Sequence, residues 1–352
     1  MKKIEVKVGK PYPIYIEKGI LQQAASYMQQ IGHYKKIMIV CDDNVFPHYG
    51  DDIISLLQPV YEVHHIIVKH GEESKQMGVA MELYQALITH NFTRSDAIIA
   101  LGGGVIGDLT GYVAATYLRG IALIQIPTSL LAQVDASVGG KVALNMPEAK
   151  NLIGTFYHPQ LVLIDPSTLQ TLPRRYFNDG MAEVIKYGCI KDASLFADLA
   201  KYESYEALYQ DMEDIIERCV TIKRDIVELD PYDHGKRMLL NFGHTLGHAI
   251  EQYYQYEKYS HGEAVAIGMV QICKIAEQQG LTKEGTAFKI QAVVDKYSLP
   301  YTCNEETENL LSAILLDKKS SHQQITYILL QTIGESCLYK ADNRWLLLAK
   351  RV

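Results

Sequence analysis

The chain has 352 residues, 48% of them hydrophobic and 21% charged, a balance that excludes extensive disorder and allows two domains with large cores. Its formal net charge of −7 offers no broad attraction to nucleic acid or an anionic membrane, although local basic clusters can still take a small phosphorylated metabolite. The six cysteines (Cys41, Cys189, Cys219, Cys273, Cys303 and Cys337) form no CxxC pair, MKKIEVKV alternates like a strand and not like a signal peptide, and no apolar run reaches membrane-span length. A cytoplasmic protein in a reduced state, with no nucleic-acid or membrane partner, is the expectation.

From the amino terminus, short β-branched runs alternate with longer amphipathic stretches: KKIMIVC, VFPHYGDDIISLL, YEVHHIIV, SKQMGVAMELYQALITH and DAIIALGGG. That rhythm predicts a layered α/β domain on a largely parallel sheet, to which IALIQIP and LVLIDP add two buried strands. Between those two strands, residues 128–154 are rich in Gly, Ser, Asn and Lys and too long for an ordinary connection, so they read as a functional loop. After Leu172-Pro173-Arg174-Arg175 the periodicity turns helical, in GMAEVIKYGCI, YEALYQDMEDIIERCVTIKRDIVEL and AVAIGMVQICKIAEQQGL. Strand patterns return only at ITYILL and ESCLYK. The boundary is placed near residue 174, with an α/β domain over 1–174 and a mostly α-helical domain over 175–352.

DAIIALGGGVIGDLTGYVAA is a buried strand running through Gly102-x-Gly104-x-x-Gly107 into a helix, the order that cradles a pyrophosphate on free backbone N–H groups. The same glycines also suit a plain turn that needs φ > 0 or close packing. The turn does not follow the first strand, and no acidic residue stands at the expected distance after it. Asp42 and Asp43, after KKIMIVC, are better placed to hold an adenosine ribose.

Residues 237–263 bring His244, His248 and His261 close in sequence to Glu251 and Glu263. His244 and His248, four apart, share one face of a helix, and His261 opens the next apolar segment as a helix N-terminus does. Spacing alone binds both His244 and His248 to one metal, and imidazoles so spaced suit zinc. A lone histidine is more often a cap or a satisfied core residue, but three histidines with carboxylates nearby favour the metal. Thr245 stands where an HExxH peptidase carries its base, which disfavours that class. Glu183, with Lys186 one turn on, also reads as a surface ion pair. Lys141, Lys150 and Asn151 lie with Asp135 on the 128–154 segment, and Lys186, Lys223, Arg224 and Arg237 follow. Singly these are solvated residues; several in polar loops beside a metal suggest a phosphate or carboxylate ligand.

In conjunction, GGGVIGD, QVDASVGGK, KNLIGTFYHP, GMAEVIKYG, NFGHTLGHAIE and HGEAVAIGM closely resemble the 3-dehydroquinate synthase family, in the same order and over essentially the whole chain. The resemblance implies a Rossmann-like NAD-binding domain, a helical metal-binding domain, NAD, Zn2+ with Co2+ as the alternative, and a homodimer. It implies a lyase of the shikimate pathway, leading to aromatic amino acids, that converts 3-deoxy-D-arabino-heptulosonate 7-phosphate to 3-dehydroquinate and phosphate. Carried over by residue, the family's metal ligands fall on Glu183, His244 and His261, and His248 becomes a substrate-contacting or proton-relay residue. Its substrate contacts fall on Arg119, Asp135, Lys141, Asn151, Lys186, Lys223, Arg237, Asn241, His248 and one lysine of Asp317-Lys318-Lys319, taken as Lys318. Its NAD contacts fall on Asp43, Gly71, Glu72, Lys75, Gly103, Gly104, Asp108, Thr128, Ser129, Lys141, Lys150, Thr168 and Thr171. Two departures stand out. Ser129 replaces a threonine and keeps its hydroxyl, and His70 replaces a small or acidic residue, which implies a changed adenosine pocket.

The implied chemistry is a transient oxidation by NAD, elimination of phosphate, return of the hydride and an intramolecular aldol closure. The rivals are a sister sugar phosphate cyclase acting on sedoheptulose 7-phosphate or glucose 6-phosphate, an NAD- and metal-dependent polyol dehydrogenase, and an idle NAD- and zinc-binding regulator.

Overall fold

Residues 1–305, 309–310, 324–342 and 345–346 are described by a computed structural model. They divide into one unit made of Met1–Pro173 with Met212–Pro231, and a second made of Arg174–Asp211 with the described residues from Tyr232 onward.

The first unit is built on a seven-stranded sheet. Its strands are β1 (Lys2–Val6), β2 (Tyr12–Ile16), β3 (Lys36–Asp42), β4 (Glu62–Val68), β5 (Ala97–Gly102) and β6 (Ala122–Pro127), with β9 (Leu161–Ile164). The order is β1-β2-β9-β6-β5-β3-β4, with every neighbouring pair parallel except β1 and β2. The two-residue period of a strand explains its near-continuous hydrophobic runs. In β3, Ile37, Ile39 and Cys41 face one core with α1 (Ala24–Ile31) and α2 (Phe46–Leu57). Met38 and Val40 face the opposite core with α3 (Met77–Thr89) and α4 (Gly104–Thr116). β5 divides the same way, Ile99 and Leu101 against Ile98 and Ala100. The α/β reading of the amino-terminal half is therefore the fold.

Two expectations change here. Residues 128–154 are not a loop, since they hold a helical segment at Ala132–Ala136 and an antiparallel hairpin of β7 (Lys141–Met146) and β8 (Ala149–Phe156). Their Gly and Asn content marks turns between short elements. The run at 205–229 is two helices, α7 (Tyr205–Gln210) and α8 (Met212–Leu229), and α8 belongs to the first unit, not to a domain spanning 175–352. Its buried face (Ile215, Ile216, Cys219, Val220) lies against β1, β2 and the 132–136 segment. Lys2 ties it further to Asp214 and Glu217, both at 2.9 Å.

The second unit is mostly helical. α5 (Arg174–Ile190) is buried on all sides from Phe177 to Ile190, as is most of α10 (His261–Gln278), so both are core helices and not surface stripes. α10 packs on α5, on α9 (His244–Tyr253) and on α11 (Thr286–Lys296). Strands β10 (Ile325–Thr332) and β11 (Glu335–Ala341) form a separate antiparallel hairpin. Among the described residues no helix is long and apolar enough to cross a membrane, and none of the six cysteines is in a disulfide.

Candidate active site

In the first unit, the chain leaves β3 toward β4 on one side and leaves β5 toward β6 on the other. The carboxyl ends of β3 and β5 therefore flank a topological switch point, where doubly wound sheets bind nucleotides. Gly102 ends β5 and Gly103 is the N-cap of α4, with no side-chain cap on the first turn. Those N–H groups are suited to an anion. None of Gly102, Gly103, Gly104 and Gly107 has a positive φ, so a turn requiring left-handed backbone is excluded. Close packing does hold at Gly102, where a Cβ would stand 2.8 Å from Ile106.

Asp42 Oδ1 accepts the N–H groups of Asn44 and Val45 at 3.0 and 2.9 Å, so its carboxylate is spent on the turn into α2. Asp43 stays half-exposed, and its Oδ1 takes both the backbone N–H and the Nδ1 of His70, at 2.7 and 2.8 Å. Those bonds hold it below the usual carboxylate range.

Beside it, Lys75 is 5% exposed and its Nζ reaches Asp108 Oδ2 at 3.0 Å, Glu72 Oε1 at 3.1 Å and Asn151 Oδ1 at 2.6 Å. Asn145, which sequence reading missed, closes the network. Its amide donates to Glu72 Oε1 at 2.7 Å and its Oδ1 accepts the Asn151 N–H at 2.9 Å. It is set beside Gln76 by an isolated bridge that no local pattern in the sequence signals. Burial opposes the charge on Lys75, but Asp108 and Glu72 outweigh it and raise the lysine above its ordinary value. Lys75→Met strands the partly buried Asp108 carboxylate, 22% exposed, and should cost about 1–3 kcal/mol in thermal or urea unfolding. The double variant with Asp108→Leu should recover most of that loss.

Thr168 is buried, its Oγ1 accepting from Gln133 Nε2 at 3.0 Å and donating to the Asp165 carbonyl at 2.8 Å, while Thr171 Oγ1 meets Tyr49 Oη at 2.6 Å. Thr128 is buried, and Ser129 Oγ accepts from the Ala132 N–H at 3.3 Å. Lys141 is exposed and Lys150 partly buried on the hairpin strands. Lys223, delivered by α8, pairs with Asp135 Oδ1 at 2.9 Å. Arg119 is exposed beyond the far end of α4, whose 13 residues separate it from Gly103 by about 20 Å.

In the second unit, Glu183 on α5 is 0% exposed and its Oε2 pairs with Lys186, itself 1% exposed. The surface ion pair expected from sequence is thus a buried one. Glu183 Oε1 lies 3.5 Å from His244 Nε2 and 3.8 Å from His261 Nε2, and the three ligand atoms fall within 4.8 Å of one another. Each ring is held at its other nitrogen. His244 Nδ1 donates to the Phe242 carbonyl at 3.1 Å, and His261 Nδ1 meets Glu251 Oε2 at 3.4 Å. A buried carboxylate facing two imidazole Nε2 atoms, with each Nδ1 anchored, is the donor set of a metal centre. Neither Glu183 oxygen has a hydrogen bond beyond the Lys186 ion pair, so the site fits a cation.

Burial, followed by the charge of Lys186, pushes His244 well below the ordinary histidine range and keeps its ring neutral. For His261, burial works the same way but the Glu251 hydrogen bond and charge outweigh it, with Glu183 and Asp179 adding to them, and its pKa rises from 6.5 to about 9. A divalent cation at Nε2 displaces the proton of that nitrogen and leaves the Nδ1 proton shared with Glu251. In the metal-free protein this group stabilises the fold fully below pH 6.5, and the contribution is lost as pH climbs to about 9. Melting of metal-stripped protein should fall across that window and should be flatter in His261→Ala.

His248 is exposed one turn along α9, with its ring centroid 5.4 Å from that of His244. It is not in the group around Glu183, so the metal pair suggested by the spacing of His244 and His248 fails. The third member comes instead from the start of α10. Glu263 is consumed by the capping box with Ser260 and by Arg175 at 3.1 Å. Arg237 is buried in the Lys236–Asn241 turn before α9, and Asn241 is partly buried. Asp179, also missed, accepts the Gly262 N–H at 2.6 Å and so fixes the start of α10. Its place four residues before Glu183, on the same helical face, was the available signal. Lys318, with Asp317 and Lys319, lies outside the described residues.

Residues 65–179 match the family description "3-dehydroquinate synthase N-terminal" and residues 180–320 match "3-dehydroquinate synthase C-terminal". The chain belongs to the 3-dehydroquinate synthase family. A 3-dehydroquinate synthase of Clostridium botulinum (strain Alaska E43 / Type E3) is 51% identical over 336 residues, covering 95% of this chain and 96% of the relative. Among solved structures, a 2-deoxy-scyllo-inosose synthase complexed with carbaglucose-6-phosphate, NAD+ and Co2+ is similar at TM-score 0.88 and 25% identity, over 99% of each chain. A 2-epi-5-epi-valiolone synthase from Streptomyces hygroscopicus subsp. jinggangensis 5008, with NAD+ and Zn2+ bound, is similar at TM-score 0.86 and 26% identity, over 97% of this chain and 96% of the other.

Of the positions that resemblance to the 3-dehydroquinate synthase family singles out, the first unit gathers Glu72, Lys75, Asp108 and Asn151 in one network, and pairs Asp135 with Lys223. The second gathers Glu183, Lys186, His244 and His261. Arg119 is not brought to Gly103 and Gly104.

Proposed function

We propose that this chain is a 3-dehydroquinate synthase, an NAD- and divalent-metal-dependent lyase converting 3-deoxy-D-arabino-heptulosonate 7-phosphate to 3-dehydroquinate and phosphate. The observation that carries the proposal is the buried Glu183 faced by His244 and His261, in a chain 51% identical to a 3-dehydroquinate synthase over nearly its whole length. The NAD+ and Co2+ or Zn2+ of the two similar synthases support the cofactor assignment.

Bound NAD would supply a reversible hydride acceptor, and a bound divalent cation would lower the pKa of the substrate hydroxyl to be oxidised. Glu183, His244 and His261 hold that cation, and zinc suits their two-nitrogen, one-oxygen set. The first turn of α4, which Gly103 caps and Gly104 opens, takes the pyrophosphate, with Asp43, Gly71, Glu72, Lys75, Asp108, Thr128, Ser129, Lys150, Thr168 and Thr171 completing the cofactor contacts. Lys141, Lys186 and Asn151 hold the substrate phosphate and Arg237 its carboxylate. Asp135, Lys223 and Asn241 make the remaining substrate contacts, and His248 touches the substrate or relays a proton. Once carbon 5 is a ketone the neighbouring proton is acidic, and phosphate leaves with its own oxygen as base. Return of the hydride, ring opening and an aldol closure follow, with no net redox change.

Arg237→Ala should weaken binding of a carboxylate-bearing substrate analogue roughly 10–100-fold while leaving metal content intact, as read by calorimetry and elemental analysis. Unchanged affinity would remove that role. The reaction itself is tested by incubating the protein with the heptulosonate phosphate, NAD and Zn2+ and identifying the product by NMR. Dehydroquinate supports the proposal, and recovered substrate rejects it. A homodimer is also proposed, and light scattering after gel filtration should give twice the 39.6 kDa chain mass.

A further inference from the structure

We infer that Glu251 is a positioning residue for the metal centre, gripping the ring of His261 so that Nε2 is presented to the cation; this rests on the metal reading above. Glu251 follows His244 by seven residues on α9, and so lies on the same stripe of the helix. It is 5% exposed. Burying a carboxylate there is costly unless it is paired. Its Oε2 lies 3.4 Å from His261 Nδ1, while the opposite nitrogen of that ring faces Glu183 Oε1 at 3.8 Å. The carboxylate, the imidazole and the ligand position are therefore in series, the arrangement that orients a metal-bound histidine.

The two histidines are supported differently. His244 is oriented by a main-chain acceptor, the Phe242 carbonyl at 3.1 Å, which no side-chain substitution removes. For His261 the backbone is set by Asp179, which accepts the next residue's N–H at 2.6 Å. Any Cβ on Gly262 would meet the Asp179 carbonyl at 2.1 Å, so the main chain there has little freedom. That placement leaves ring rotation to be fixed, and Glu251 fixes it. Orientation of one of the three ligands thus depends on a single side chain.

His248, Glu251 and His261 also have ligand atoms within 4.8 Å of one another, a second arrangement that could take a cation. A cation bound there through His261 Nδ1 would need that nitrogen bare, whereas the positioning role needs it protonated toward Glu251. Metal stoichiometry separates the two.

The test uses the full-length chain, stripped of metal and titrated with Zn2+ against a chromophoric chelator and with Co2+ by its visible absorption. The wild type should take up one ion per chain. Glu251→Met, which fills the space without an acceptor, should bind Zn2+ about 10–100-fold more weakly and shift the Co2+ bands, with NAD binding kept as the control for folding. Glu251→Gln retains an acceptor of the same shape and should show a smaller loss, which also covers the case in which the methionine variant does not fold. Equal Zn2+ affinity and an unchanged Co2+ spectrum in both variants would overturn the inference. So would two ions per wild-type chain falling to one in Glu251→Met. A wild type that takes up no ion overturns the metal reading itself, a result distinguishable from failure of Glu251 alone.

Discussion

Glu183→Gln is expected to lose divalent metal and turnover together while keeping nucleotide binding. The side chain is 0% exposed, and its Oε1 is the atom on which both His244 Nε2 and His261 Nε2 converge, at 3.5 and 3.8 Å. The amide has the same shape but no charge with which to balance a cation. Metal affinity should fall by more than the roughly 10–100-fold that loss of an outer partner costs, and activity with it. The amide also leaves the buried Lys186 ammonium without its anion, so a lower melting temperature should accompany the metal loss. His261→Ala separates the two effects, because it removes a ligand and leaves the Glu183–Lys186 pair in place. If elemental analysis finds a full complement of metal in both variants, Glu183 and His261 are not its ligands.

Gly268→Ala should be among the most destabilising single-methyl additions in the second unit. At this point α10 crosses the start of α9, and a Cβ on Gly268 would stand 2.0 Å from the Gly243 carbonyl oxygen. The obstacle is backbone, so no rotamer relieves it. Gly243 cannot give way easily either. Its φ is +81, and its own Cβ would stand 2.8 Å from the Val265 carbonyl oxygen. Overpacking of this kind costs typically 1–3 kcal/mol and here should reach or exceed ~3 kcal/mol. Because His244 is the residue after Gly243, the displaced helix carries a ligand with it. Thermal melting should therefore show a large loss of stability, and the folded fraction should bind Zn2+ weakly. A variant that melts and binds metal like the wild type would mean that the two helices do not meet at this glycine.

The sheet was legible because its signal is local. In β3 and β5 alternate residues feed opposite cores, so a buried strand shows up as an apolar run without knowledge of its neighbours. Where a segment packs is not local, and there the sequence ran out. α8 has the periodicity of an amphipathic helix, but nothing within it says that its apolar face returns to β1 and β2. Residues 128–154 looked like a loop because a short hairpin and one helical turn need many turn residues. The pairing of Glu183 with Lys186 was readable from their spacing, whereas their depth depends on α10 covering α5. His244 and His248 show the same limit. Their spacing puts them on one helical face, but the group around Glu183 is completed by His261 on a separate helix, which family motifs indicate and periodicity does not. Asn145 and Asp179 escaped notice because their partners are fixed by how distant segments pack, the 145–151 hairpin against Glu72 and Gln76 and α5 against α10.

The most direct test of the central claim is phosphate release with NAD and Zn2+ present, comparing 3-deoxy-D-arabino-heptulosonate 7-phosphate with sedoheptulose 7-phosphate and glucose 6-phosphate while NADH absorbance is followed. Release from the heptulosonate alone, with no accumulation of NADH, is the predicted result. Release from one of the other sugar phosphates instead, or NADH accumulating on simple polyols with no phosphate released, would contradict it.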